Sequence, residues 1–319
     1  MRRWRGQADT PADLGRTVVT VGMYDGVHRG HQKLIGAAVA RARAMRRPCL
    51  LLTFDPHPAE VVRPGSHPAI LTSLDRKAEL VAELGVDAMC VLPFTPEFMR
   101  LPPETFTHTV LVEHLHAAQV VVGENFTYGH RAAGTVATLT GEGRRFGFAV
   151  EGIALAEDSS DGGDVTISST YIRACVAAGD MVSAARALGR PHRVDGVVVR
   201  GDRRGRDLGY PTANVESPQF TAIPADGVYA GHLVIRDPRG GASRERHPAA
   251  VSVGSNPTCQ GSRRTVEAYV LDYEGDLYGE HVGVEFAERL RPMAAFPDVD
   301  GLLAAMAKDV SDTRRILGM

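Results

Sequence analysis

The sequence predicts an α/β domain built on a largely parallel sheet, followed by a mainly-β barrel that closes with a C-terminal helix. From residue 17 to about 188, short apolar strands alternate with helical segments, the pattern of repeated βαβ units. Beyond His192 the periodicity changes to short β-rich runs separated by Gly, Pro and Asp clusters, as in a compact antiparallel barrel. At 319 residues, with 44% hydrophobic and 23% charged residues, the chain is long enough to bury two cores of ordinary soluble domains.

Thr17 to Val21 is the first strand, and His31 to Arg47, rich in Ala and Arg, reads as a helix. Pro48 to Phe54 is a continuous apolar run of the kind buried on both faces of a parallel sheet. Asp75 to Leu84 and Glu104 to His116 have helical spacing, while Ala88 to Leu92, Gln119 to Gly123 and Phe146 to Leu155 repeat the strand character. Glu157 to Asp164 is polar and glycine-bearing, a surface loop ahead of helices at Ser169 to Ala178 and Met181 to Leu188. Gly189-Arg190-Pro191 ends the second of these, which puts the domain boundary near residues 186 to 192. In the barrel, Asp195 to Val199, Val228 to Ile235, Ala249 to Val253, Thr265 to Leu271 and Val282 to Phe286 are strands. Asp237 to Arg246 reads as a hairpin connection, and Val299 to Ile316 as the closing helix.

Lys+Arg total 36 against 38 Asp+Glu, a formal net charge of −2, so nothing global favours nucleic acid or an anionic membrane. Small molecules are the expected partners. Cys49, Cys90, Cys175 and Cys259 are scattered without a C-x-x-C pair, which suits buried thiols in a reducing compartment. Met1-Arg2-Arg3-Trp4-Arg5 leads into Gly6-Gln7-Ala8-Asp9 rather than an apolar core, and no later run has the length of a membrane span. The expectation is a cytoplasmic protein.

Gly22 to His31, G-M-Y-D-G-V-H-R-G-H, is the densest chemical signal. It joins a β-branched strand to a helix start, where free N–H groups and the positive dipole end attract phosphate. His28 and His31, at i and i+3, can both lie at that end, and Gly30 between them lets backbone approach a ligand. Two other readings stay open from these residues: half of a metal site, with Asp25 nearby, or a glycine-rich turn with incidental histidines. Phe54-Asp55-Pro56-His57-Pro58 follows the second strand, at the carboxyl end where open parallel sheets bind ligands, or it is simply a rigid turn. Gly123-Glu124-Asn125-Phe126-Thr127-Tyr128-Gly129 lies at another strand end and suits an aromatic ligand ring, although both aromatics can equally pack inward. Ser168-Ser169-Thr170-Tyr171-Ile172-Arg173 opens a helix, either as a phosphate cap with Arg173 one turn on or as ordinary capping. In the second half, Gly201 to Asn214 carries Gly201, Gly205 and Gly209, whose loop N–H groups can face phosphate, then Thr212 and Asn214 as two oxygen ligands on one strand face, suited to a hard cation such as Mg²⁺. Its arginines alone would read as a nucleic-acid patch, which the neutral chain argues against.

In that order, G-M-Y-D-G-V-H-R-G-H, F-D-P-H-P, G-E-N-F-T-Y-G and I-S-S-T-Y-I-R resemble the adenylyltransferase module of bacterial bifunctional riboflavin kinase/FAD synthetases. The segment from Gly201 to Asn214 resembles the riboflavin kinase signature, and Gly227-Val228-Tyr229-Ala230-Gly231 and Asp276-Leu277-Tyr278-Gly279 continue that family's order. The resemblance implies a Rossmann-like nucleotidyltransferase domain over 1–186 and a riboflavin kinase-like barrel over 187–319. It implies that His28 and His31 act at the ATP phosphates with Gly22, Asp25 and Gly30, and that Ser169, Thr170 and Arg173 hold the transferring phosphates. His57 and Asn125 fall on positions tied to the flavin or nucleotide pocket, Gly201 and Gly209 on the second ATP loop, and Glu267 on the catalytic base. Met23-Tyr24 departs from the usual aliphatic-phenylalanine pair, and Met293 stands where an acidic residue is common.

The implied function is phosphorylation of riboflavin to FMN, then adenylylation of FMN to FAD with release of pyrophosphate. ATP is the co-substrate, Mg²⁺ the metal, and FMN and FAD the flavin ligands. Two alternatives are a nucleotidyltransferase for another phosphate acceptor with a regulatory barrel, and a non-catalytic flavin-binding protein. The latter needs neither Glu267 nor the Thr212–Asn214 pair. The sequence leaves the oligomeric state undetermined.

Overall fold

Unbroken apolar runs are what a sheet covered on both faces requires, and here they build one. The computed structural model describes residues 1–6, 8–11, 13–65, 67–154, 157–158, 165–201, 209–236, 245–258 and 261–319. Contacts divide them into two units, Met1–Pro68 with Leu74–Ser168, and Ala69–Ser73 with Ser169–Met319.

The first unit holds a six-stranded sheet of β1 (Arg2–Arg5), β2 (Thr17–Val21), β3 (Cys49–Asp55), β4 (Ala88–Pro93), β5 (Ala117–Gly123) and β6 (Ala149–Ile153). Its order is β1-β4-β3-β2-β5-β6, and every pair is parallel. Side chains alternate between faces along each strand, so Val18 and Val19 enter different cores. On one face, α1 (Arg29–Ala44) and α3 (Leu74–Glu83) bury Leu34, Ile35, Ala38, Ala78 and Val81 against Val18, Leu51 and Met89. The other face is covered by a helix over Thr107–His114 and by α4 (Val136–Phe146), through Val110, Leu111 and Leu139. A short α2 (Pro58–Val62) follows β3. The chain lays β3 and β4 to one side of β2 and β5 and β6 to the other, which makes the carboxyl end of β2 a topological switch point.

Several elements differ from the sequence expectation. The arginine-rich N-terminus forms edge strand β1, burying only Trp4. The helix expected over Glu104 to His116 is a short α-turn, Pro103–Phe106, running into a π-helix over Thr107–His114, because apolar spacing does not distinguish the two windings. Phe146 ends a helix rather than starting a strand. The sequence of α4, VATLTGEGRRF, has weak helix propensity, but Thr135 caps it, Leu139 anchors it, and Gly147 (φ +80) stops it before β6 begins at Ala149. Glu157–Asp158, expected in a loop, pairs with Val165–Thr166; residues 159–164 lie outside the described residues.

The second unit contains α5 (Ser169–Ala178), α6 (Met181–Leu188) and a closed antiparallel barrel. Its strands are β7 (His192–Val199), β8 (Thr212–Glu216), β9 (Gly227–Ile235), β10 (Glu245–Thr258), β11 (Gly261–Val270) and β12 (His281–Arg291), in the order β7-β8-β11-β10-β9-β12. Closure by β12 onto β7 removes the open edges that a sheet otherwise exposes. Val194, Val251, Val253, Ala268, Val284 and Phe286 fill the core. A Cβ on Gly231 would collide with the Glu285 carbonyl oxygen, so glycine permits the close approach of β9 and β12 at their bulge. The C-terminal α7 (Val299–Leu317) is capped by Asp298, which accepts from Gly301 N at 2.8 Å, and is pinned to β12 by the paired Arg291–Asp309 bonds of 2.9 and 2.7 Å. The hairpin connection expected from Asp237 to Arg246 falls mostly on 237–244, outside the described residues, while Glu245 and Arg246 belong to β10.

Candidate active sites

At the end of β2, Gly22 N continues the sheet ladder to Leu52 O at 3.1 Å, and the chain then turns sharply. Tyr24 (φ 49), Gly26 (φ 86) and Val27 (φ 40) all lie in the left-handed region. For a non-glycine residue, and most of all a β-branched one, such backbone costs on the order of 1–3 kcal/mol. Tyr24 is buried against the turn, with its hydroxyl bonded to Thr20, and a Cβ on Gly22 would lie 3.0 Å from its ring.

The turn delivers His28 as the N-cap of α1, where its Nδ1 accepts from His31 N at 3.3 Å. That bond leaves the ring proton of neutral His28 on Nε2, as a donor. The His28 and His31 rings stack with centroids 3.6 Å apart and planes at 19°. The first turn of α1, which contains Gly30, has no acidic side chain to offset the dipole. Asp25, in the turn, is buried. The His31 Nδ1 is buried with no hydrogen-bond partner. Burial, then the neighbouring His28 and Lys77, push the His31 pKa well below the ordinary histidine value, which keeps the ring neutral.

Two neighbouring strands bring further residues to the same carboxyl edge. His57 follows β3 and caps α2, its Nδ1 accepting from Ala59 N at 3.1 Å. Asn125 follows β5 and is exposed; a Cβ on Gly123 would sit 3.0 Å from its Oδ1. Phe126 and Tyr128 stack at 5.5 Å, and both pack on the core, Tyr128 donating to Glu142 at 2.6 Å, so inward packing is the arrangement adopted. Ser169, Thr170 and Arg173 occupy the first turns of α5 and group with the second unit, where Arg173 donates to Ala69 O at 2.7 Å.

Lys77 belongs with these residues and has no counterpart among the sequence motifs. It lies on the buried face of α3 and donates from Nζ to Met23 O at 2.7 Å. The available signal was a lysine in the apolar stripe of Leu74, Ala78 and Val81, one turn apart on a single helix face.

In the barrel, β8 pairs with β11 so that Asn214 faces Glu267 and Thr212 faces Tyr269. Thr212 and Asn214, two apart, share a strand face, and the Thr212 hydroxyl donates to Glu267 Oε2 at 3.4 Å. Strand register therefore gathers the three residues expected from the sequence. Gly201 lies tight against Asn214, whose Nδ2 would be 2.5 Å from any Cβ there, and Gly209 has φ +81. Residues 202–208 of the same signature are outside the described residues. Beside Thr212 runs a cleft of about 80 Å³ walled by Val198, Ala268, Val270, Tyr273 and Leu277. Among the described residues, no cluster of three or more His, Cys, Asp and Glu side chains is arranged to hold a metal, and the oxygen set of the barrel draws instead on Thr and Asn. A separate cavity of about 750 Å³ sits at the opposite, amino-terminal strand edge of the first unit, lined by Arg2, Trp4, Arg43, Arg46 and Asp87.

A helix end able to receive phosphate in the α/β unit, and hydroxyl, amide and carboxylate oxygens gathered on the barrel, both suit an enzyme that transfers groups at phosphorus. Residues 10–171 match the family described as FAD synthetase, and residues 188–317 the family described as riboflavin kinase. The chain is 36% identical to a bifunctional riboflavin kinase/FMN adenylyltransferase of Listeria monocytogenes, over 93% of this chain and 91% of that protein. It is 34% identical to the protein of that description from Escherichia coli K12, over 95% of this chain and 93% of the other. A crystal structure described as a macrolide-efflux protein from Streptococcus pneumoniae superposes with a TM-score of 0.86 at 31% identity, covering 98% of this chain and 99% of that one. The chain belongs to the bifunctional riboflavin kinase/FMN adenylyltransferase family. No helix among the described residues is long and apolar enough to cross a membrane.

Proposed function

We propose that the chain phosphorylates riboflavin with ATP to give FMN in the barrel, then adenylylates FMN to FAD in the α/β domain, the two domains being 1–186 and 187–319. The observation that carries the second step is the stacked His28–His31 pair at a helix end whose first turn has no acidic side chain, with the His31 Nδ1 buried and unpartnered. A buried polar atom without a partner is costly, and a phosphoryl group arriving there would supply what it lacks.

In adenylyl transfer an FMN phosphate oxygen attacks the α-phosphorus of ATP, the bond to the bridging oxygen breaks, and pyrophosphate leaves. Negative charge develops on the phosphates, so donors fixed in advance do most of the work. His28 donates from Nε2, His31 from its ring, and the α1 amide groups with Gly22 and Gly30 add backbone donors. Asp25 sits in the same nucleotide-binding turn. Ser169, Thr170 and Arg173 bind the transferring phosphates, and His57 and Asn125 border the flavin.

In the kinase step Glu267 takes the proton from the riboflavin 5′-hydroxyl as that oxygen attacks the γ-phosphorus, with ADP leaving. Gly201 and Gly209 belong to the loop over the ATP phosphates. Hydroxyl and amide oxygens from Thr212 and Asn214 form a hard donor pair that fits Mg²⁺, which keeps most of its shell for water and phosphate. Thr212 and Asn214 would hold it, and the ion would neutralise phosphate charge. Cys49, Cys90 and Cys175 are buried free thiols, and burial pushes Cys49 and Cys90 up to about 12. Inert thiols of this kind support a reducing, cytoplasmic setting.

Incubation with riboflavin, ATP and Mg²⁺, followed by chromatography over time, tests the proposal. FMN should rise first and FAD later; turnover of FMN without any turnover of riboflavin would restrict the chain to adenylyl transfer.

A further inference from the structure

The turn from Gly22 to Val27 contains two non-glycine residues in left-handed backbone, and such a segment persists only where its surroundings over-determine it. Some restraints come from nearby in sequence: Val27 N bonds Tyr24 O at 3.2 Å, and the Gln32 amide donates to Val27 O at 2.8 Å. A further one comes from another element. Lys77, 4% exposed, reaches from α3 to donate to Met23 O at 2.7 Å, immediately before the first left-handed residue. Thr53, at the end of β3, donates to the same carbonyl at 3.3 Å and lies 3.5 Å from the ammonium, so one buried knot ties turn, strand and helix together.

A buried ammonium is an expensive way to make one hydrogen bond. Burial pushes the Lys77 pKa down to about 8, with Asp25 from the turn and Asp55 from β3 acting in the opposite direction. From α1, His31 faces the same charge, which helps to push its own pKa down. An apolar residue would suit the stripe of α3 better, so stability alone does not account for a lysine here.

We propose that Lys77 is a positioning residue for adenylyl transfer, clamping the Gly22–Val27 turn through the Met23 carbonyl so that the α1 amino end and the His28–His31 pair keep a phosphate-receiving geometry. This rests on the assignment of that end of the sheet to adenylyl transfer. Lys77 itself touches no reacting atom; it acts through the turn.

Lys77→Met keeps the length and apolar contacts of the side chain while removing donor and charge. With FMN and ATP as substrates, kcat for FAD formation should fall by about tenfold or more, because small misplacements of positioned groups are costly. The KM for FMN should stay within about twofold of the unsubstituted protein. FMN formation from riboflavin and the thermal unfolding profile should be unchanged, and in ring-nitrogen NMR the His31 titration should move up toward the ordinary histidine value. Unaltered kcat for FAD formation overturns the proposal. So does an unfolding transition lowered enough to account for the loss, or an equal loss of both activities, since either reduces Lys77 to a folding residue. If the unsubstituted chain makes FMN but no FAD from FMN and ATP, the adenylyl-transfer assignment fails instead.

Discussion

In the α/β unit, His28 and His31 reach their site from a helix end behind a strained turn, whereas in the barrel Thr212, Asn214 and Glu267 reach theirs through the register of two ordinary antiparallel strands. The first arrangement offers backbone N–H groups and ring donors to the phosphates of the proposed adenylyl-transfer site, on a turn that residues such as Lys77 and Thr53 tie to neighbouring elements. The second inherits its geometry from the ladder, because a one-residue slip of β8 would turn Thr212 and Asn214 to the face away from Glu267. Adenylyl transfer should therefore be sensitive to changes outside its motif, and phosphorylation mainly to changes within it.

The largest expected effect is on the barrel side. Glu267→Ala removes the proposed general base and should lower riboflavin phosphorylation on the order of a hundredfold or more, with FAD formation from supplied FMN intact. An unchanged phosphorylation rate would remove Glu267 from the chemistry. Next, His31→Ala or His28→Ala should lower FAD formation by roughly tenfold to a hundredfold while sparing FMN formation, as expected for loss of one of several preorganised donors. A smaller change sharpens the contrast. Gly201→Ala would drive a Cβ to within 2.5 Å of the Asn214 amide and displace that side chain. At about 1 kcal/mol of displacement, the KM for ATP in the kinase reaction rises roughly fivefold, and adenylyl transfer does not change.

The smallest effect is on stability. His31 has a folded-state pKa below its unfolded value, so the unfolded chain binds the proton more readily. Its contribution is fully present above about pH 6.5 and is lost as pH falls below that value toward the folded pKa. Thermal midpoints measured between pH 7 and 5 should drop less steeply for His31→Asn than for the unsubstituted protein; equal slopes would mean that His31 is not buried neutral.

The two regions also differ in how far sequence reveals them. Continuous apolar runs announced β2 to β5, and the spacing of Thr212 and Asn214 announced a shared strand face, since period-two alternation is visible in one dimension. The pairing of Asn214 with Glu267 is a fact of register between strands distant in sequence, so residue patterns alone left that glutamate on an ordinary strand surface. His28 and His31 were legible because a helix start follows directly on a glycine turn. Lys77 was not: a lysine is read as solvated, and only tertiary packing shows that its ammonium ends on the Met23 carbonyl. The helix α4 was hidden for a similar reason, its Thr and Gly residues being held helical by a cap and one buried leucine rather than by propensity.

The central claim is that the chain performs two transfers at two separable sites, and a single chromatographic time course with riboflavin, ATP and Mg²⁺ tests it on the unsubstituted protein, His31→Ala and Glu267→Ala in parallel. FMN should accumulate with little FAD in the His31 variant, and riboflavin should persist in the Glu267 variant, which still converts added FMN to FAD. Parallel loss of both products in either variant would contradict the separation.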